Sequence, residues 1–555
     1  MPRPVISRDR SMFPRAVRLL LPALAVVILL SPCDVSAQYE GRVYAITDAR
    51  LVTLTGQVIE NGTIVLRGGL IEALGADVSP PADAVLVDGK GMTVYPGFID
   101  AYSQAGLALP GRQEREHAGN IADRLATEHF DPASPDLTVY REQGLTSALV
   151  ARSDGVFGGQ AVLINLMGED VPSMTVRAPV VQVLGYEGQS DYPGTLMAVV
   201  AYQRQTLIDA SYHDLLLTRY RRDPRAIARP PADPDLEALV PAAKGEAPFM
   251  GIVHLENDLK RLRNLAAEFN IRYWIAGAEE AFRVPDLIEA AGVPVLVSLN
   301  FPAINQVTGY QFDRAYRNLS EEEKEELDAR DNTAVHSNPV AVFRTGVPLA
   351  LATGGMRNVG DFLKNLRLAV EAGLPAGEAL KALTINPATI FGVADVLGTL
   401  EPGKIANLTV TSGDVFTDEE AWISHVFVDG HKETFVAPKP RSSGDGSGGG
   451  ADGSWTVTLS LGGESAEAEM ILTQEGEKVT GELTVEGETI EFEGTFSEGK
   501  LDLKGSIPDL GAITLTATIE GDEMSGSLGL GPMGSADFTG KRNPEDASGE
   551  RRVGR

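Results

Sequence analysis

From Pro96 to about Val396, short apolar runs alternate with helical stretches, and this alternation most constrains the fold. The runs include Ser147-Ala148-Leu149-Val150, Val180 to Leu184, Val293 to Val297 and Val347 to Leu351. Each is too short and too uniformly apolar for a surface element, as expected of strands buried on both faces. Between them lie stretches of helical period. In Asp258 to Phe269, Leu259, Leu262, Leu265, Ala266 and Phe269 recur at helical spacing and mark one buried face. Val359 to Ala372 reads the same way. Strands alternating with helices over some 300 residues predict a parallel α/β architecture, closed into a barrel.

The flanks differ in character. Residues 38–95 hold short strand-like runs, among them Val43 to Ile46, Thr63 to Leu66 and Leu70 to Leu74, separated by glycine turns. Short strands return over residues 398–437. Residues 438–454 are rich in Gly and Ser and read as a linker. Residues 455–542 form about eight alternating runs with glycine turns, such as Lys478 to Val485 and Ile513 to Ile519. These predict an antiparallel meander, closed as an up-and-down barrel. From Asp452 to Arg542 there are 18 acidic and 5 basic residues, so the outer face of this domain is anionic. Residues 543–555 read as a disordered tail.

Residues 1–37 have the layout of a secretory signal peptide. Arg3, Arg8, Arg10, Arg15 and Arg18 precede the apolar run Leu19 to Leu30, and Val35-Ser36-Ala37 offers a cleavage site. The run is shorter than the ~20 residues of a membrane span, and no later segment reads as transmembrane. The expected location is therefore periplasmic or secreted. Pro32 before Cys33, the only cysteine, disfavours lipidation at that residue. Cleavage after Ala37 leaves no thiol for a disulfide, a metal or nucleophilic attack. The formal net charge of -29 argues against nucleic-acid partners, whose phosphates such a surface repels.

Two segments carry a family resemblance. Gly91-Met92-Thr93-Val94-Tyr95-Pro96-Gly97-Phe98-Ile99-Asp100-Ala101 resembles the barrel entry of the amidohydrolase superfamily, in particular members like imidazolonepropionase and dihydroorotase. Ala379 to Ala388, followed by Leu397-Gly398-Thr399-Leu400-Glu401-Pro402-Gly403-Lys404-Ile405-Ala406-Asn407-Leu408, resembles the last barrel helix and the return to the first β domain. The resemblance spans about residues 43–436. It implies a (β/α)8 TIM barrel over residues 96–397 and a composite β-sandwich built from both flanks. The implied activity is hydrolysis of non-peptide C–N bonds by one or two divalent metals at the barrel mouth. Such metals polarise a carbonyl and acidify bound water.

The ligand set that the resemblance implies is two histidines on strand one, one each on strands five and six, and an aspartate on strand eight. Here Tyr102 and Gln104 take the strand-one places, and Gly354 takes the aspartate's. The strand-six segment Tyr273 to Glu280 holds no histidine. Only His254 matches, at the strand-five place. One imidazole does not hold a catalytic zinc, which normally takes three protein ligands. The ordinary role of such a histidine is a hydrogen bond at a strand end.

The seven histidines show no i, i+2 or i, i+4 pair, so no local metal clip is present. Glu279 and Asp100 are the candidate catalytic carboxylates, against a solvated charge for the first and a turn cap for the second. Ser153 to Gln160 is a glycine-rich loop without the Lys-Ser/Thr ending of a phosphate loop and is expected to pack over the barrel. Three readings stand open. The first is a weakly active or inactive binding or scaffolding member with no cofactor, taking a small molecule in its mouth or working beside a related, complete amidohydrolase subunit. The second is an active hydrolase of cyclic amides that holds zinc, iron or manganese through His254, Asp100 and Glu279. The third is a binding protein that works through its C-terminal β domain.

Overall fold

The computed structural model describes residues 42–56, 58–108, 119–188, 192–301, 333–356 and 358–437, and, apart from short gaps, 451–542. The expected signal peptide with Cys33, most of the expected linker and the expected tail lie outside the described residues. The chain divides into two compact units, residues 1–438 and 439–555.

In the first unit, eight strands form one sheet by adjacent pairing. They are β6 (Phe98–Ser103), β7 (Leu145–Val150), β8 (Gln160–Asn165), β9 (Thr175–Leu184), β10 (Pro248–Val253), β11 (Arg272–Gly277), β12 (Val295–Ser298) and β13 (Leu349–Ala352). β13 returns to β6, where the Gly354 N–H donates to the Tyr102 carbonyl at 2.8 Å. β6, β7, β12 and β13 are buried at every position, in keeping with their mostly apolar sequences, and the polar residues among them, such as Asp100 and Ser147, are buried with hydrogen-bond partners. The expected barrel is present with one departure in direction. β8 runs antiparallel to both neighbours. Only residues 151–159 join Val150 to Gln160. A parallel neighbour needs a crossover of a dozen or more residues, so this chain turns back instead.

The helix Glu256–Phe269 buries Leu259, Leu262, Leu265 and Ala266 and ends on Asn270 in the left-handed region. This is the face its sequence period predicts, begun two residues earlier. Among the described residues no helix is long and apolar enough to cross a membrane.

The flanking segments meet in a second sheet. β1 (Tyr44–Leu51), β2 (Ile59–Arg67), β3 (Leu70–Gly75), β4 (Val85–Asp88) and β5 (Thr93–Pro96) come from before the barrel. β14 (Leu408–Thr411), β15 (Ile423–Val428) and β16 (His431–Thr434) come from after it. The order is β16-β15-β14-β5-β1-β2-β3, with β4 beside β1. The two halves join where Val94 faces Val410 in the antiparallel β5–β14 pair.

At that junction the matched sequence segments do structural work. The buried Asn407 side chain donates to Ser147 Oγ at 2.9 Å and Asn165 Oδ1 at 2.8 Å, while its own Oδ1 accepts from the Asp429 N–H at 2.7 Å. Its carbonyl accepts from the Gly97 N–H at 2.8 Å. A Cβ on Gly97 would lie 2.2 Å from Thr146 Oγ1, so only glycine fits between barrel and sheet. The Lys404 ammonium donates to the Ala394 carbonyl and Thr399 Oγ1, closing the turn before the seam. Arg141 of the barrel adds an ion pair with Glu433 of β16.

The second unit is a closed, all-antiparallel barrel of eight strands, from Gly453–Leu461 to Ser535–Arg542, each paired with the next and the last with the first. Its interior is packed with side chains such as Trp455, Leu472, Phe492, Leu503, Leu515 and Phe538. The Trp455 indole N–H donates to the Ala451 carbonyl at 3.1 Å, and Arg542 lies over its ring. The alternating runs of residues 455–542 thus become a barrel whose apolar residues point inward.

Asn407→Ala removes one donor each from Ser147 and Asn165, which keep their bond to each other, and takes the acceptor from the Asp429 amide. We expect a loss of about 2–4 kcal/mol, read as a lowered urea midpoint with unchanged slope. A variant as stable as the parent would remove the seam from its structural role.

Candidate active site at the barrel mouth

The lumen is lined by apolar side chains from alternate positions of the strands, including Leu149, Val183, Met250, Trp274, Leu296 and Ala350. The next positions along each strand reach the C-terminal mouth, where this architecture assembles its sites. There β6 brings Asp100 and Tyr102, and Gln104 follows it. His254 follows β10, Glu279 and Glu280 follow β11, Asn300 follows β12, and Thr353 to Gly355 follow β13.

Tyr102 and Gly354 are a matched pair. Tyr102 is buried within the lumen cluster. A Cβ built on Gly354 would lie 2.2 Å from its ring. The ring therefore takes the room that any strand-eight side chain would need. Burial raises the phenol above its ordinary range, and the nearby charges of Glu187, Glu279 and Asp100 push in the same direction, so the ring stays neutral. Gln104 donates its amide N–H to Ser153 Oγ and is thereby tied to the loop after β7. That loop packs inward, as its glycines suggest, around a buried bidentate pair between Arg152 and Asp154.

These residues do not fit the family's metal. A neutral phenol, an engaged carboxamide and a glycine stand in three of the ligand places. Among the described residues, no group of three or more His, Cys, Asp or Glu side chains comes together to hold an ion.

Asp100 is fully buried. Its carboxylate accepts from the Thr353 N–H at 2.9 Å, from the Thr353 hydroxyl, and from the Tyr102 N–H at 3.3 Å. It thus bonds β6 to the end of β13. Burial pushes its pKa up to about 6, against the lowering effect of these donors.

His254 and Glu279 are brought together, with Nδ1 3.3 Å from Oε1. Asn300 donates to the same Glu279 oxygen at 3.0 Å. Burial lowers the imidazole's proton affinity, but the Glu279 hydrogen bond and charge oppose it, with Glu187 and Asp258 adding to them. The net shift is upward. Glu280 is drawn elsewhere. It accepts from the Glu256 N–H at 2.8 Å, at the start of a helix, and pairs with Arg283 at 3.3 Å. The adjacent acids thus serve different partners.

Beside His254 lies a cavity of about 400 Å³. Ser153, Tyr186, Glu187, Asp258 and Arg261 supply its polar wall, and Leu196, Ile252 and Leu255 its apolar wall. The size is that of small-molecule sites. Sequence reading missed Asn300 and Thr353, whose only local signal is a polar residue directly after an apolar strand. It missed the cavity wall too, because its residues lie far apart in the chain.

Gly354→Ala should destabilise by about 1–3 kcal/mol through overlap with the Tyr102 ring. Tyr102→Ala should relieve it, so a double-mutant cycle in urea should show coupling; simple additivity would refute the packing. For Asp100, the folded pKa lies above the unfolded value of ~3.9. Its contribution to stability is full below that value and declines as pH rises to about 6. Asp100→Asn should therefore lose less stability than the parent between pH 4 and 6.5. Glu279→Gln should lower the His254 pKa measured by NMR titration, and an unchanged pKa would break the pair.

Comparison with known proteins agrees with this architecture. A model of the Amidohydrolase family matches residues 325–432. The chain is 25% identical over 404 residues to the imidazolonepropionase of Mesorhizobium japonicum, covering 65% of this chain and 90% of that protein. It is 25% identical to that of Pseudomonas putida, covering 70% and 94%. Among solved structures, an amidohydrolase from Thermotoga maritima superposes with a TM-score of 0.57 at 22% identity, covering 70% of this chain and 99% of that one. With the barrel, the composite sheet and both sequence signatures, these likenesses support the amidohydrolase superfamily as the family of this chain.

Proposed function

We propose that this protein is an exported amidohydrolase-fold receptor that binds a small molecule at its barrel mouth instead of hydrolysing it through a metal. The observation that carries the reading is the Tyr102 ring packed on Gly354, which leaves no space for the strand-eight ligand. The cavity beside His254 supplies the binding surface. A half-buried imidazole held by Glu279 offers a hydrogen bond to a polar ligand, and Leu196 and Leu255 offer it an apolar wall. Likeness to imidazolonepropionases supports a cyclic amide or related C–N compound as the ligand class.

The test uses purified protein, elemental analysis and a panel of cyclic amides and imides. We expect well under one equivalent of zinc, iron or manganese, no chelator-sensitive hydrolysis, and calorimetric binding of at least one compound. His254→Ala should weaken that binding by roughly tenfold, the loss of one charge-assisted hydrogen bond. Stoichiometric metal, with hydrolysis lost on chelation and in His254→Ala, would overturn the reading in favour of an active hydrolase.

A further inference from the structure

On the wall of the cavity beside His254 stands a hydroxyl that the fold leaves unused. Tyr186 lines this cavity and is only 9% exposed. Among the described residues its phenol oxygen is buried and has no hydrogen-bond partner. A hydroxyl in that state has lost its water and gained nothing in return, which native structures rarely tolerate. Looseness does not account for it, because the backbone that carries the ring is pinned on both sides. The Gly185 N–H donates to the Val156 carbonyl at 2.8 Å. The Gly185 carbonyl accepts from the buried Gln203 side chain at 2.8 Å. Burial raises the phenol above its ordinary range and Asp258 pushes the same way, so the oxygen keeps a proton to donate. The charges that bear on it most are those of Asp258 and Arg261, both on the polar wall of the cavity. The hydroxyl end of the ring therefore lies toward that wall.

We infer that Tyr186 donates to the carbonyl oxygen of an uncharged cyclic amide, and that the cavity discriminates against the same compound when it carries a carboxylate. This rests on the receptor reading proposed above and narrows its ligand class. A ligand carbonyl supplies the acceptor that the phenol lacks. His254 lines the same cavity, and its Nδ1 is turned to Glu279, which leaves the opposite ring nitrogen as a second polar contact. The acids set the charge that is disfavoured. Glu187 and Asp258 share this wall with a single guanidinium, Arg261, which pairs with Asp258 at 2.5 Å. Carboxylates outnumber the guanidinium there, so an added carboxylate meets net like charge. Leu196, Ile252 and Leu255 form the apolar side, which suits the methylenes of a ring. An ammonium has no acceptor for the phenol proton, so a purely cationic ligand leaves Tyr186 unpartnered.

The experiment titrates the full chain calorimetrically with pyroglutamamide and pyroglutamate, two lactams that differ in an uncharged amide against a carboxylate. It is joined to urea unfolding of Tyr186→Phe without ligand. We expect pyroglutamamide to bind at least about tenfold more tightly than pyroglutamate. Tyr186→Phe should weaken pyroglutamamide roughly fivefold to tenfold, the loss of one hydrogen bond. In the ligand-free protein the same variant should leave the urea midpoint unchanged or raised, because no bond is lost. Glu187→Gln should narrow the gap between the two lactams. A lowered urea midpoint in Tyr186→Phe would overturn the inference, since the hydroxyl would then have a structural partner. So would equal or tighter binding of pyroglutamate, or no binding of pyroglutamamide. Binding that is lost in His254→Ala yet unchanged in Tyr186→Phe would overturn this inference alone and leave the receptor reading standing. That reading falls instead on stoichiometric metal with chelator-sensitive hydrolysis.

Discussion

One seam holds the first unit together. The Asn407 side chain reaches from the second half of the β sheet to β7 and β8 of the barrel, and its carbonyl takes the N–H of Gly97 at the barrel entrance. The chain thus enters and leaves the barrel at a single hydrogen-bonded point. A buried carboxamide in such a place is costly unless every donor and acceptor is met, and here the described partners meet them. The sheet on one side and the strands on the other are both aligned by it. This explains why the two most recognisable sequence segments, around Pro96-Gly97 and Lys404 to Asn407, lie some 300 residues apart and yet belong together.

The mouth at the other end of the strands is freer to change. The fold is held by the lumen cluster and the seam, neither of which needs the family's metal ligands. Tyr102 and Gly354 form one packing unit, the ring filling the space beside the glycine. Asp100 turned into a structural bond between β6 and Thr353, satisfied by three donors. Of the family's ligand places, His254 alone keeps an imidazole, and it is paired with Glu279. A metal centre concentrates several donors on one ion. This mouth divides its polar groups instead among a buried carboxyl, an imidazole–carboxylate pair and a cavity wall.

Much of this was legible in the residues. The alternation of apolar runs with helical periods announced the barrel, because strands covered on both faces are mostly apolar. The C-terminal runs announced a barrel of their own, because strict alternation separates an inside from an outside. That Tyr102, Gln104 and Gly354 carry no imidazole or carboxylate was plain in the residues. The reversal of β8 was less so, although the short connection over residues 151–159 forces it. The bond between Asp100 and Thr353, and the fixing of Glu279 by Asn300, join residues that no local pattern links.

The sequence by itself determined the element types and carried the likeness to the amidohydrolase superfamily, since the first follow from local period and the second from two matched segments. Only the tertiary structure decided that Tyr102 and Gly354 are one packing unit, that Glu279 serves His254 while Glu280 serves a helix start, and that a cavity opens beside them. The reason is physical. Whether two side chains share a space depends on strand register and barrel closure, and those arise from long-range pairing that the local sequence does not encode.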